Sequence, residues 1–389
     1  MRAELPMNRL RRRPSSIARW LSLGGVALLL TGGRAETAEK RFAFDPARPL
    51  AFPRDHGAHD DARIEWWYVT GHLRDARGRE SGYQLTFFRT GVFDTAPAAG
   101  GSPLQARDLY LAHFAITDAS GSFRFAERAH RTGIAAGASA GRLDVHNEDW
   151  SLQELGGSLV LEARRGWGAE LERLSLILTP EKPLVLHGDR GLSRKGTEPD
   201  AVSRYVSFTR LKTAGWRTRG DVSEPVEGSS WLDHEWGPGV LGPESAGWDW
   251  FALQLEDGRE LMLYRIRARS GSASPFSSGT LVRKDGTAVA LTSSDFTIEE
   301  TARWKSPRSG ATYPARWVLR VPRESLALEV VPLVADQELV TPGSTHVTYW
   351  EGACAVRAVD GDDRAQLGRG YVELTGYAGA GGLGLLTAR

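Results

Sequence analysis

The chain is patterned in short apolar runs that alternate with polar positions and stop at turns containing Gly or Asp. Ile64-Glu65-Trp66-Trp67-Tyr68-Val69-Thr70 is the first clear run. Its aromatic and β-branched residues suit a pleated strand. Asp75-Ala76-Arg77-Gly78 reads as a turn, and Tyr83 to Phe88 as the next strand. Leu109 to Thr117 continues the pattern and ends at Asp118-Ala119-Ser120-Gly121. Leu171 to Leu178, Tyr205 to Leu211, Arg259 to Ile266, Trp317 to Val321 and Leu326 to Val331 are of the same kind. No long segment carries a 3.6-residue period. Short strands between Gly-rich turns predict an all-β chain, a sandwich or a barrel.

The pattern repeats faintly. Trp66 to Leu73 leads into Gly78-Arg79-Glu80 and an apolar return strand, and Trp248 to Leu255 leads into Asp257-Gly258-Arg259-Glu260 and another. Two hairpins of one design predict two related β-domains, which a length of 389 residues accommodates. The polar stretch Asp221 to Gly228, with Pro225, is the expected boundary. It divides the chain into domains 36–226 and 227–389.

The N-terminus departs from this pattern. Arg9, Arg11, Arg12 and Arg13 precede an apolar stretch from Trp20 to Leu30, and Gly33-Arg34-Ala35 fits a small-x-Ala cleavage site. Residues 1–35 are expected to be a signal peptide, cut after Ala35, and the mature protein periplasmic or secreted. The apolar stretch is short for a membrane span. A net charge of +1 gives no global basic field, so nucleic acid is not an expected partner. Export or transport partners at the membrane are. The single cysteine, Cys354, excludes an intramolecular disulfide and a Cys-based zinc site, and its apolar surroundings predict a buried thiol.

Candidate chemistry gathers in Phe52 to His59, Glu65 to Tyr68, Trp231 to Gly237 and Trp248 to Trp250. Successive strand residues face opposite ways. Asp249 then heads an apolar row with Phe251, Leu253 and Leu255, while Trp248 and Trp250 lie on the other face. Glu65 likewise heads Trp67, Val69, Gly71 and Leu73. A carboxyl at an apolar barrel mouth should have a raised pKa, as a general acid requires, or else cap the strand end. His234 and Trp236 share a face, and the Gly/Pro-rich stretch after them could fold back toward Asp249. These three are expected to converge on one apolar cavity as catalytic residues. Glu65, Trp67, Trp248, Trp250, His56 and His59 are expected to contact ligand. Asp233-His234-Glu235 and His56-x-x-His59 contain metal-ligand types, but adjacent strand residues point apart and the two histidines lie in a Pro/Gly loop that fixes no ligand geometry, so no metal is expected. No Gly-x-Ser-x-Gly elbow accompanies Ser229-Ser230. Thirteen tryptophans leave a carbohydrate reading open, since indoles stack on sugars and also fill β-cores.

Together these stretches, with Tyr349-Trp350-Glu351-Gly352 and Gly370 to Tyr377, resemble the AttH-like family, relatives of carotenoid 1,2-hydratases often described as predicted secreted hydrolases. The resemblance covers nearly everything after the signal peptide. It implies two lipocalin-like antiparallel β-barrel domains packed together and a hydrophobic, isoprenoid- or lipid-like ligand. The hydratase branch adds water to a terminal isoprenoid double bond without a redox cofactor. There the resemblance assigns a His-x-Trp pair, here His234 and Trp236, and a downstream Asp, here Asp249. Gly247 stands where those hydratases carry an aromatic residue. Hydration would proceed by protonation of the alkene to a tertiary cation held by Trp236, Trp248 and Trp250. Two classes compete: such an acid catalyst and a non-catalytic lipid or isoprenoid carrier. An ester or glycoside hydrolase is a third reading.

Overall fold

Apolar alternation becomes strand along most of the described residues. The computed structural model describes residues 41–94, 107–133, 135–239, 241, 244–359 and 365–379. The expected signal peptide lies outside the described residues. The first sheet holds β1 (Ile64–Asp75), β2 (Glu80–Gly91), β3 (Asp108–Asp118), β4 (Ser122–Arg131), β5 (Ala136–Ala138), β6 (Asp144–Asn147), β7 (Trp150–Leu155), β8 (Ser158–Arg165), β9 (Glu172–Pro180), β10 (Val185–Leu186), β11 (Leu192–Arg194), β12 (Val202–Arg219) and β13 (Val222–Gly237). Their order is β4-β3-β2-β1-β13-β12-β9-β8-β7-β6-β5, with β10 and β11 paired to β12. The sheet curls until Thr132 bridges Ala136 and the Asn147 side-chain amide donates to the Tyr110 carbonyl.

The second sheet holds β14 (Ser245–Leu255), β15 (Glu260–Ala268), β16 (Ser278–Val282), β17 (Ala288–Thr292), β18 (Thr297–Lys305), β19 (Thr312–Val321), β20 (Leu326–Pro332), β21 (Glu338–Val340), β22 (Thr348–Ala358) and β23 (Gln366–Leu374). It runs β17-β16-β15-β14-β23-β22-β20-β19-β18, with β21 on β22. The fold is therefore two curled antiparallel barrels. The boundary expected at Asp221–Gly228 is corrected. That stretch is the turn and first half of β13, which is paired along its length with β12, and the chain passes to the second sheet only between Gly237 and Ser245.

Each barrel has its own apolar filling. Trp67, Val69, Leu85, Phe87 and Phe114 pack inside the first, and Phe251, Leu253, Leu263, Trp317 and Val372 inside the second. Each such side chain contributes roughly 1.5–3 kcal/mol through burial. A third layer lies between the barrels, where Tyr68, Tyr205 and Trp231 meet Trp250, Met262, Tyr264 and Tyr371. Strands β1, β13 and β14 are consequently covered on both faces, and each carries one row into its own barrel and one into this layer. Cys354 is buried in the second core.

The repeated hairpins share one device. Asp75 accepts the Arg79 backbone N–H and its guanidinium, and Asp257 does the same for Arg259. Gly78 and Gly258 occupy these turns at φ 77° and 88°, a left-handed conformation that glycine adopts without Cβ strain.

Candidate functional site

The expected site residues fall into three compartments. The first is the mouth of the N-terminal barrel. Glu65 heads the inward row of β1 and is fully buried. Its Oε1 accepts His59 Nδ1 at 2.7 Å and His234 Nε2 at 2.9 Å, and its Oε2 accepts Arg89 Nε at 2.9 Å. Burial pushes the Glu65 carboxyl up, but the Arg89 charge and the hydrogen bonds from His234 and His59 outweigh it. They hold the group well below the usual carboxylate range, which corrects the expected rise. Burial lowers the His234 pKa. His234 stacks on Trp67 with centroids 4.9 Å apart, and His59 stacks on Trp236 at 3.9 Å. His56 lies beside them, its carbonyl accepting the Trp67 indole N–H and its ring 5.5 Å from Phe208. His59, Glu65 and His234 place ligand-type atoms within 4.8 Å of one another and could hold a cation. As they stand they bond to each other, and Arg89 already supplies a positive charge to the same carboxylate.

The second compartment is the mouth of the C-terminal barrel. Asp249 is fully buried and heads the inward row of β14 as read from the sequence. Its Oδ2 accepts Arg265 Nε at 2.8 Å, and its Oδ1 accepts Arg267 Nε at 3.0 Å and the Tyr377 hydroxyl at 2.9 Å. The expected convergence is corrected here. His234 and Trp236 do share a face, but they look into one barrel and Asp249 looks into the other, with no partner in common. The reason is alternation: the rows inside two different barrels cannot meet.

The third compartment lies between the barrels and is the best candidate site. Trp248 and Trp250 line it together with Trp66, Phe88, Tyr68 and Leu241. Four carboxyl groups face the same cavity: Asp233, Glu235, Glu351 and Glu373. The cavity volume is about 70 Å³, room for a few waters or one end of a larger ligand. Burial raises Asp233 to about 7, although Ser207, Tyr205 and Trp231 donate to it. Glu373 is raised to about 7 by burial and by the charges of Asp233 and Glu235, against a hydrogen bond from Trp248 Nε1 at 2.9 Å. Burial and the neighbouring Glu373 push Glu351 well above the usual carboxylate range, and its Oε1 accepts no hydrogen bond. Lys195 bonds Glu235 at 3.1 Å and lies 4.3 Å above the Tyr264 ring. The cavity thus joins aromatic walls to Asp233, Glu351 and Glu373, three carboxyl groups that burial pushes upward.

An AttH-like family model matches residues 43–377 of the chain. The chain belongs to the AttH-like family. The crystal structure of the AttH protein NE1406 from Nitrosomonas europaea is 35% identical, covers 86% of this chain and 98% of its own, and superposes with a TM-score of 0.75. Kievitone hydratase from Nectria haematococca is 13% identical over 87% of this chain and 96% of its own, with a TM-score of 0.62. That likeness is one of fold. No curated protein matches the chain. The cavity acids alternate with the His-x-Trp pair: Asp233 and Glu235 flank His234 on the opposite face of β13. Glu351 and Glu373 stood inside recognised motifs, each a carboxyl out of place in an apolar strand. That anomaly was the available signal.

Proposed function

We propose that this AttH-like protein binds the unsaturated end of a hydrophobic ligand between its barrels and hydrates it without a cofactor. The observation that carries the reading is Asp233 and Glu373, both raised to about 7, in a cavity walled by Trp66, Phe88, Trp248 and Trp250. A neutral carboxylic acid there transfers its proton to the less substituted alkene carbon. A C–H bond forms, the π bond breaks, and the positive charge settles on the more substituted carbon. Each indole or phenyl face can stabilise that cation by about 0.5–2 kcal/mol. Water then forms the C–O bond and releases its proton to a carboxylate in the same cavity, so the acid–base pair is restored. His234 and Trp236, in the barrel mouth behind β13, act on this site by holding that strand in place.

The test is conversion of short prenylated or isoprenoid alkenes followed by mass spectrometry for a gain of one water. Asp233→Asn and Glu373→Gln should each remove turnover while a hydrophobic fluorophore still binds. Stoichiometric retention of a co-purified lipid, unchanged after incubation, would make the protein a carrier instead. Export is part of the same proposal and is supported by the basic, apolar and small-residue segments of residues 9–35. N-terminal sequencing from the native host should begin after Ala35, and an intact Met1 in the cytoplasmic fraction would refute it.

A further inference from the structure

His113 is fully buried between the barrels, on the face of β3 that looks away from the first core, and no step above uses it. Its Nδ1 meets the Tyr349 hydroxyl at 2.7 Å and its Nε2 meets Ser344 Oγ at 2.9 Å. Ser344 Oγ donates to a carboxylate oxygen of Glu127, whose other oxygen accepts the Gly343 N–H at 3.1 Å. Glu127 is the cross-strand neighbour of His113 on β4 and is partly exposed. At the other end, Tyr349 and Glu351 lie two apart on β22 and share a face, and the Tyr349 hydroxyl stands beside the Glu351 carboxyl.

The donors in this row can be ordered. The Ser344 proton is committed to Glu127, so Ser344 Oγ accepts from His113 Nε2–H. His113 Nδ1 is then the acceptor of the Tyr349 O–H, which leaves the lone pairs of the Tyr349 oxygen to accept from the neighbouring Gln84 amide and from a protonated Glu351. The three bonds from Tyr349 to Glu127 point the same way, away from the cavity and toward the surface. We propose that Tyr349, His113 and Ser344 form a proton path between the Glu351 carboxyl in the cavity and Glu127 at the protein surface. The proposal rests on the reading of Glu351 as a cavity acid.

The transfer balances. Glu351 passes its proton to the Tyr349 oxygen, the Tyr349 proton passes to His113 Nδ1, the Nε2 proton passes to Ser344 Oγ, and the Ser344 proton passes to Glu127. Glu351 ends as carboxylate and Glu127 as the acid, which exchanges with water. Burial holds the His113 pKa down at about 3, so the ring relays as a neutral tautomer and does not store charge. The cavity carboxyl is thereby coupled to bulk pH through the protein.

The test needs neither ligand nor turnover. The protein at pH 7 is mixed rapidly with deuterium oxide while the carboxylic C=O stretch of Glu351, assigned by its loss in Glu351→Gln, is followed by infrared spectroscopy. Ser344→Ala and His113→Leu should slow the isotopic shift by at least about tenfold. Ser344→Thr, which keeps the hydroxyl, should restore it. Exchange in Ser344→Ala at the wild-type rate overturns the path and leaves the cavity acid standing. Absence of a protonated Glu351 band in the wild type overturns the acid assignment and the path with it.

Discussion

Glu65 and Asp233 are both buried carboxyl groups, and their surroundings drive them in opposite directions. Glu65 has Arg89 beside it, so its ionised form is favoured in the folded chain. That contribution is present above the unfolded pKa and is lost as the pH falls through the depressed folded value. Glu65→Gln would leave the fully buried Arg89 guanidinium with Asp108 as its remaining carboxylate partner. A cost of about 1.5–3 kcal/mol, that of hydrogen bonds to a charged group, is expected, measured by urea denaturation at pH 7. Asp233 has hydroxyl and indole donors but no cation bonded to it, so burial dominates and its proton persists to about pH 7 against 3.8 when unfolded. Its contribution is complete below pH ~4 and disappears as the pH climbs to ~7. Compared with Asp233→Asn, the wild type should therefore lose on the order of 2–4 kcal/mol of stability across that interval. An identical pH slope in both proteins would show that Asp233 is ionised throughout.

A strand between two packed layers carries two messages in one sequence, and β13 shows how that limits inference. Leu232, His234 and Trp236 serve the first barrel, while Trp231, Asp233 and Glu235 serve the layer between the barrels. Alternation was legible in the sequence, and so were the turn residues and the two sets of faces on β14. The partner of each face was not, because β22 and β23 reach the cavity through pairings made far along the chain. The recognised His-x-Trp pair and Asp249 were accordingly joined into one site that the structure divides. Asp249 illustrates the consequence. It binds Arg265 and Arg267 inside the second barrel, so Asp249→Asn should act on that barrel's stability, by about 1.5–3 kcal/mol, through Arg267, left without its carboxylate, and Arg265, left with Glu300. Thermal denaturation and turnover separate the roles. Loss of turnover with an unchanged melting temperature would return Asp249 to the catalytic site.

At the scale of the molecule, the cavity depends on how closely two barrels are pressed together. The cavity exists because side chains from both sheets enclose it, and the layer around it is as buried as either core. The barrel class was readable from strand length and turn chemistry, and the pairing of barrels from the repeated hairpins. The depth of the contact was not, since it depends on absent side chains. Gly82 on β2 is the clearest case. A Cβ built there would stand 2.4 Å from the Ala353 Cβ and 2.6 Å from the Tyr371 hydroxyl, both on the opposite sheet. Gly82 has no left-handed backbone to protect, so a larger residue costs little within its own strand and everything between the barrels. The wild type should unfold in one cooperative calorimetric transition, because neither barrel can shed the shared layer alone. Gly82→Val should wedge the sheets apart, split that transition in two and weaken ligand or fluorophore binding at least about tenfold, as a loss of ~1.4 kcal/mol implies. A single unchanged transition with unchanged binding would mean that the barrels adjust to the added methyl groups and that the cavity does not depend on their close approach.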